Sequence, residues 1–119
     1  MWLVCLSGTE CNKEELETEY KDAARYGEVR LGETCLFYRY FIKIRYVSYE
    51  QIAKAYLREE SGESGEFLLK EFYLMLETKD GVSHKLRLER EVNVKAVLSF
   101  LENHYKDISI GFYRPSQSK

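Results

Sequence analysis

The sequence has few of the residues that build metal sites and disulfide frameworks. Its 119 residues include two histidines and three cysteines, and Cys5, Cys11 and Cys35 do not stand at the close paired spacing of a zinc site. An odd number of unpaired cysteines is typical of free or buried thiols in a reducing compartment. We therefore expect no metal, no cofactor and a cytoplasmic location.

An excess of positive charge is also absent. The formal net charge is -2 and the pI is about 5.8, so the chain does not have the basic field that marks most nucleic-acid-binding domains. A nucleic-acid-binding protein would stack bases on exposed aromatic rings, and the candidates here are Tyr38, Tyr40, Phe41 and Tyr46. Cross-strand aromatic packing explains the same rings without a ligand, and we expect no nucleic-acid partner.

Long apolar runs and catalytic pairs are lacking as well. The opening segment "MWLVCLSG" is too short for a membrane span and contains no basic n-region, so it predicts no signal peptide. His84 and His104 do not form a nucleophile-base pair that spacing reveals. We expect the protein not to be an enzyme.

Aromatic residues, by contrast, are abundant. The chain has 10 tyrosines and 6 phenylalanines but a single proline, with 45% apolar and 32% charged residues. Aromatic side chains pack well on the pleated surface of a sheet. The composition is that of one folded, β-rich domain.

Two segments show helical patterns. Asn12 and Glu15 stand at capping-box spacing, apolar residues then recur at intervals of three and four, and Gly27 follows where a helix would end. The stronger pattern covers residues 94–108, with Asn93 as its cap.

The middle of the chain changes to an extended pattern. Residues 34–49 are too many for one average strand, so we expect the chain to fold back near Tyr40. Residues 52–59 fit a helix or a strand, and the flanking strands favour a strand. Residues 59–66, "EESGESGE", predict a loop, and residues 83–90 alternate as one arm of a hairpin.

Antiparallel strands must bury their apolar face, and one strongly amphipathic helix is a natural cover for it. We therefore predict an α+β domain, an antiparallel bent sheet or half-barrel capped by a C-terminal helix, with an extra N-terminal helix. Residues 1–27 would form an arm and helix packed on the domain, residues 28–113 the domain itself, and residues 114–119 a disordered tail.

Four features in order resemble an uncharacterised group of bacterial pleckstrin-homology-like (PH-like) domains. They are an aromatic "LF" strand, a "Y-x-x-I" element at residues 49–52, a "KDG" hairpin, and a last helix followed by "ISIGF". The resemblance covers about residues 27–113. It implies a PH-like barrel and no assigned activity.

The stretch "LFYRYFIKIRYV" is the best candidate for a ligand site. Arg39, Lys43 and Arg45 resemble the basic strand pattern with which many PH domains bind phosphoinositides, and clustered cations can contact several phosphate oxygens. A strand with one solvated face explains them better, since lysine and arginine lay their stems on a sheet and keep their charges in water. The solvated face is the simpler explanation.

The apolar arm suggests a protein partner. An exposed strand with Trp2 and Val4 either pairs within its own domain or contacts another chain. We predict a non-catalytic binding or scaffolding module that recognises a protein partner, either a different protein or a second copy in a homodimer. The alternative is weak binding of anionic lipid or phosphate through Arg39, Lys43 and Arg45, which would be the chain's route to a membrane.

Overall fold

The chain folds into two mixed β-sheets and two helices, so the predicted α+β class is correct. The computed structural model describes residues 1–64 and 67–111, and the predicted tail, residues 114–119, lies outside them. A 3₁₀ turn at Tyr49–Gln51 joins two of the strands. The strands are β1 (Trp2–Cys5), β2 (Ala24–Tyr26), β3 (Val29–Leu31), β4 (Cys35–Tyr40), β5 (Lys43–Ser48), β6 (Ile52–Ser64), β7 (Phe67–Thr78), β8 (Ser83–Leu88) and β9 (Ser109–Gly111); the helices are α1 (Lys13–Asp22) and α2 (Glu91–His104).

The strands form a five-stranded sheet A, in the order β1-β5-β4-β3-β2, and a four-stranded sheet B, in the order β8-β7-β6-β9. The edge strands β1 and β9 run parallel to β5 and β6, whereas the other pairs are antiparallel. The wholly antiparallel sheet predicted from sequence is therefore not observed. Parallel strands must be joined by a long crossover connection. The alternation of apolar and polar residues in a short edge strand does not reveal whether its partner runs parallel or antiparallel, so the sequence did not predict these pairs.

Sheet A is buried on both faces. One face joins sheet B and α2 in the larger apolar core, to which Leu36 and Val47 contribute. The opposite face packs against α1, where Phe37 contacts Tyr20 edge to face with ring centroids 5.3 Å apart. Strands buried on both sides read as continuous apolar runs, which is why "CLFY" in β4 does not alternate.

The helix α2 is the main helical contribution to the larger core. Its inward side chains Val94, Val97, Leu98 and Leu101 are fully buried among residues of both sheets. The sequence predicted Asn93 as the cap, but the helix begins earlier, at Glu91, with Arg90 as an N-cap that makes no side-chain cap hydrogen bond. In α1, by contrast, the Asn12 side chain accepts a hydrogen bond from the Glu15 backbone N–H at 3.0 Å.

The predicted loop at residues 59–66 is wrong for its first six residues. Strand β6 continues to Ser64 and stays in register with β7. This part of the pair is a two-stranded ribbon, in which Ser61 and Gly62 are exposed. The Lys70 ammonium lies 3.5 Å from the Glu59 carboxylate across the two strands. The sequence pattern of residues 52–59 fits a helix or a strand, and in the structure these residues form a strand.

The turn between β7 and β8 holds a partly buried histidine. Gly81 adopts φ +87° there, as the "KDG" pattern predicts. Thr78 Oγ1 donates to the Asp80 carboxylate and lies 3.3 Å from His84 Nε2. Burial lowers the pKa of His84 below its ordinary value of 6.5, although the Asp80 carboxylate acts in the opposite direction.

We expect stability to decrease as the pH falls through about 6.5, because the unfolded chain then binds a proton at His84 more readily than the folded chain does. The urea midpoint should be lower at about pH 5.5 than at about pH 7.5. His84→Gln should make this decrease smaller. Equal decreases in wild type and His84→Gln would contradict the assignment.

Candidate functional site

The β4–β5 hairpin ends in three exposed apolar residues, which we call the hairpin tip: Tyr40, Phe41 and Ile42. Phe41 is 78% exposed and Ile42 is 72% exposed, and the Tyr40 and Phe41 rings lie 4.4 Å apart. Trp2 is 55% exposed and is paired with Lys43, directly after the tip. Single exposed apolar residues are ordinary, whereas a contiguous exposed apolar group is a candidate contact surface.

The backbone at the tip is strained. Tyr40 and Lys43 are paired, so Phe41 and Ile42 form a two-residue turn, and Phe41 has φ +58°. Glycine, asparagine or aspartate normally occupies such a position, since a side chain there meets its own backbone. Arg39 Nε donates to the Phe41 carbonyl at 2.9 Å and holds the turn. The sequence prediction of a fold-back near Tyr40 is confirmed.

The structure does not bring the three predicted cations together on one face. Arg39 is paired with Ile44, on the side of sheet A that faces α1. Lys43 is paired with Tyr40 and Arg45 with Tyr38, on the opposite side. The Lys43 ammonium lies 5.2 Å from the centre of the Trp2 ring, a cation–π contact. The cations therefore flank the tip from both sides.

The N-terminal arm is a strand of sheet A. Its residues Trp2 and Val4 are paired with Lys43 and Arg45 of the same chain. The arm could pair within its own domain or contact another chain, and its backbone pairs within the domain. The Val4 side chain is half-buried, whereas the Trp2 ring is left beside the tip.

A second surface, the arginine cleft, was missed by the sequence analysis. It has a volume of about 780 Å³ and lies between α1, the β2–β3 turn, the hairpin tip and the start of α2. The only signal in the sequence is two arginines around a tight turn, "RYGEVR". Ten residues line the cleft: Tyr20, Arg25, Gly27, Glu28, Arg30, Arg39, Phe41, Glu89, Arg90 and Asn93.

A third surface, the α1 groove, is acidic. Its volume is about 660 Å³. The Glu19 carboxylate accepts hydrogen bonds from the backbone N–H groups of Thr34 and Cys35, at 2.7 and 2.9 Å, and so fastens α1 to the β3–β4 turn. The lining residues are Glu14, Glu15, Thr18, Glu19, Asp22, Ala23, Leu31, Gly32 and Glu33.

No hydrogen bond joins a thiol to a histidine among the described residues. All three cysteines are free, and burial raises the pKa of the Cys35 thiol to about 11, which keeps it protonated. The Thr78 hydroxyl near His84 is only 1% exposed, so a substrate cannot reach it. No group of three metal-binding side chains occurs among the described residues.

The described helices are all too short or too polar to cross a bilayer. The molecule is thus a two-sheet α+β domain with an apolar tip, a cleft rich in arginine and an acidic groove. A family model described as "Domain of unknown function (DUF6709)" matches residues 4–118, and the chain belongs to this family. Searches of curated proteins and of solved structures found no match.

Proposed function

We propose that this chain is a non-catalytic binding module and that the hairpin tip is its contact surface. One observation supports this most strongly: Phe41 is an aromatic residue with φ +58° and 78% exposure. Its conformation costs free energy that glycine would avoid, and its side chain recovers little by burial. Strain of this kind is concentrated at functional sites.

We propose a protein as the partner, and specifically a second copy of the chain. An apolar tip flanked by Arg39 and Lys43 fits an apolar pocket with an acidic rim, because opposite potentials across an interface favour association. The α1 groove has this chemistry. Ala23 and Leu31 contribute apolar surface to it, and its other lining residues include five carboxylates.

Sedimentation velocity over a wide concentration range tests this proposal. Wild type should associate reversibly, and Ile42→Glu should weaken association at least about tenfold, since a carboxylate would enter an apolar and acidic contact. Leu69→Glu is the matched control, because Leu69 is a 52% exposed apolar residue on another strand. A wild type that stays monomeric would overturn self-association, and equal weakening by both variants would exclude the tip.

The alternative function is weak binding of an anionic membrane surface. The observation that favours it is the arrangement of Trp2 and Tyr40 beside Lys43 and Arg39, since aromatic and basic residues prefer the interface of a bilayer. The wild-type protein should then co-sediment with vesicles that contain phosphatidylserine. Lys43→Glu combined with Arg45→Glu should abolish this binding, and vesicles of phosphatidylcholine alone should not bind.

We also propose that the domain is a PH-like variant of a bacterial cytoplasmic protein. Two sheets that share the larger core with the buried face of α2 support this fold. In this interpretation α2 is the helix that covers the open end of the bent sheets. The domain differs from the expected pattern by the parallel strands β1 and β9.

A further inference from the structure

We propose that the arginine cleft binds a phosphate group of an anionic ligand. The lining includes four arginines, Arg25, Arg30, Arg39 and Arg90, and two glutamates. Among the described residues, no carboxylate lies within ion-pair distance of these four guanidinium groups. The cleft thus has an excess of positive charge in a chain whose net charge is -2.

Neutral groups orient three of the arginines. Arg25 Nε donates to the Gly27 carbonyl at 3.3 Å, and Arg39 Nε donates to the Phe41 carbonyl at 2.9 Å. Arg30 donates to the Tyr20 carbonyl at 3.1 Å, and its guanidinium lies 4.1 Å from the centre of the Tyr20 ring. Each guanidinium has five N–H donors, so most donors remain available in groups that are already positioned.

Two of these arginines are placed against each other. Arg25 and Arg30 are directly opposite in the antiparallel β2–β3 pair, and Arg30 is also opposite Phe37. Like charges in directly opposed positions of a sheet are destabilising. An anion that bridges the two guanidinium groups would remove this repulsion, whereas nothing in the described lining does so.

Neither glutamate of the described lining forms an ion pair with these arginines. The Glu28 carboxylate accepts a hydrogen bond from the Glu89 backbone N–H at 3.2 Å, and so joins the β2–β3 turn to the residues before α2. Gly27 has φ +66°, and a side-chain carbon there would lie 2.6 Å from Asn93 Nδ2. The β2–β3 turn and the first turn of α2 are therefore in close contact, and the arginines next to them, Arg25 and Arg90, both contribute to the lining of one cleft.

The size and chemistry of the cleft define the ligand class. A volume of about 780 Å³ is in the range of small-molecule sites. The planar guanidinium fork matches two oxygens of a phosphate group at once. The ligand is thus a phosphomonoester or diphosphate, either in a soluble metabolite or in a lipid headgroup. This inference does not depend on self-association.

The test compares pyrophosphate with vesicles that contain phosphatidic acid, at constant ionic strength. Pyrophosphate at about 10 mM should raise the Tm of wild type, because a ligand that binds only the folded state stabilises it. Arg90→Gln should weaken binding at least about tenfold, as should Arg30→Gln. The matched control is Arg58→Gln, since Arg58 Nε pairs with Glu60 at 2.9 Å on sheet B, and it should change binding by less than about twofold.

The outcomes separate the sources of the phosphate group. Binding of pyrophosphate without vesicles indicates a soluble ligand, and vesicle binding that Arg90→Gln abolishes indicates a lipid headgroup. Arg90→Gln should leave self-association in sedimentation velocity unchanged, because Arg90 lines the cleft but is not part of the hairpin tip, and this keeps the two results distinct. Absence of both kinds of binding in wild type, or equal loss in Arg58→Gln, would overturn the proposal.

Discussion

Replacing Phe41 with glycine is expected to make the protein more stable and to abolish its self-association. Glycine adopts φ +58° without the steric cost that an aromatic residue incurs there. The phenyl ring is mostly in water, so its removal costs little burial. We expect a gain of about 1 kcal/mol in the free energy of unfolding, measured by urea denaturation.

The neighbouring position provides the control. Ile42 is similarly exposed but does not have a positive φ. Ile42→Gly should therefore lose association without any gain in stability, because glycine only adds entropy to the unfolded chain. If Phe41→Gly were no more stable than Ile42→Gly, the turn would not be strained, and the main support for the tip as a functional site would be lost.

Leu98→Ala is expected to have the largest effect on stability, a loss of about 3 kcal/mol. Leu98 is fully buried in α2 among residues of both sheets. Truncation leaves a cavity that the surrounding β-structure cannot close, since sheets held by their ladders relax little. The urea midpoint should fall while the far-UV circular dichroism spectrum of the folded protein is retained.

Val92→Ala in the same helix is the matched comparison. Val92 is 55% exposed, and alanine is the better helix former, so this variant should change stability by less than about 0.5 kcal/mol. A loss below about 1 kcal/mol for Leu98→Ala would show that α2 is not part of the main core. It would also remove the support for α2 as the cover of the sheets.

The sequence contains clear signals for local structure. Asn12 caps α1, the chain turns directly after Tyr40, and Gly81 has the positive φ of a tight turn. These features depend on residues that are close in sequence, so propensity and spacing reveal them. The length of β6 is an exception, because a polar strand in a solvated ribbon looks like a loop.

The candidate sites were harder to predict, because they depend on pairing across the fold. Arg39 and Lys43 are close in sequence, yet their register places them on opposite faces of sheet A. Arg90, by contrast, is distant in sequence from Arg25 and lines the same cleft. The alternation of the stretch "LFYRYFIKIRYV" could suggest a cationic face, but only the partners of each strand show which cations share a site.

The chain-end strands have a consequence for solubility. Strand β1 has 4 residues and pairs along β5, whereas β9 has 3 residues and pairs with only Lys54, Ala55 and Tyr56 of the 13-residue strand β6. Long uncovered strands present rows of free N–H and C=O groups that recruit other chains into aggregates, whereas very short edge strands offer little to extend. The short strand β1 therefore protects the ladder of β5 from intermolecular β-pairing, whereas β9 gives this protection to only three residues of β6.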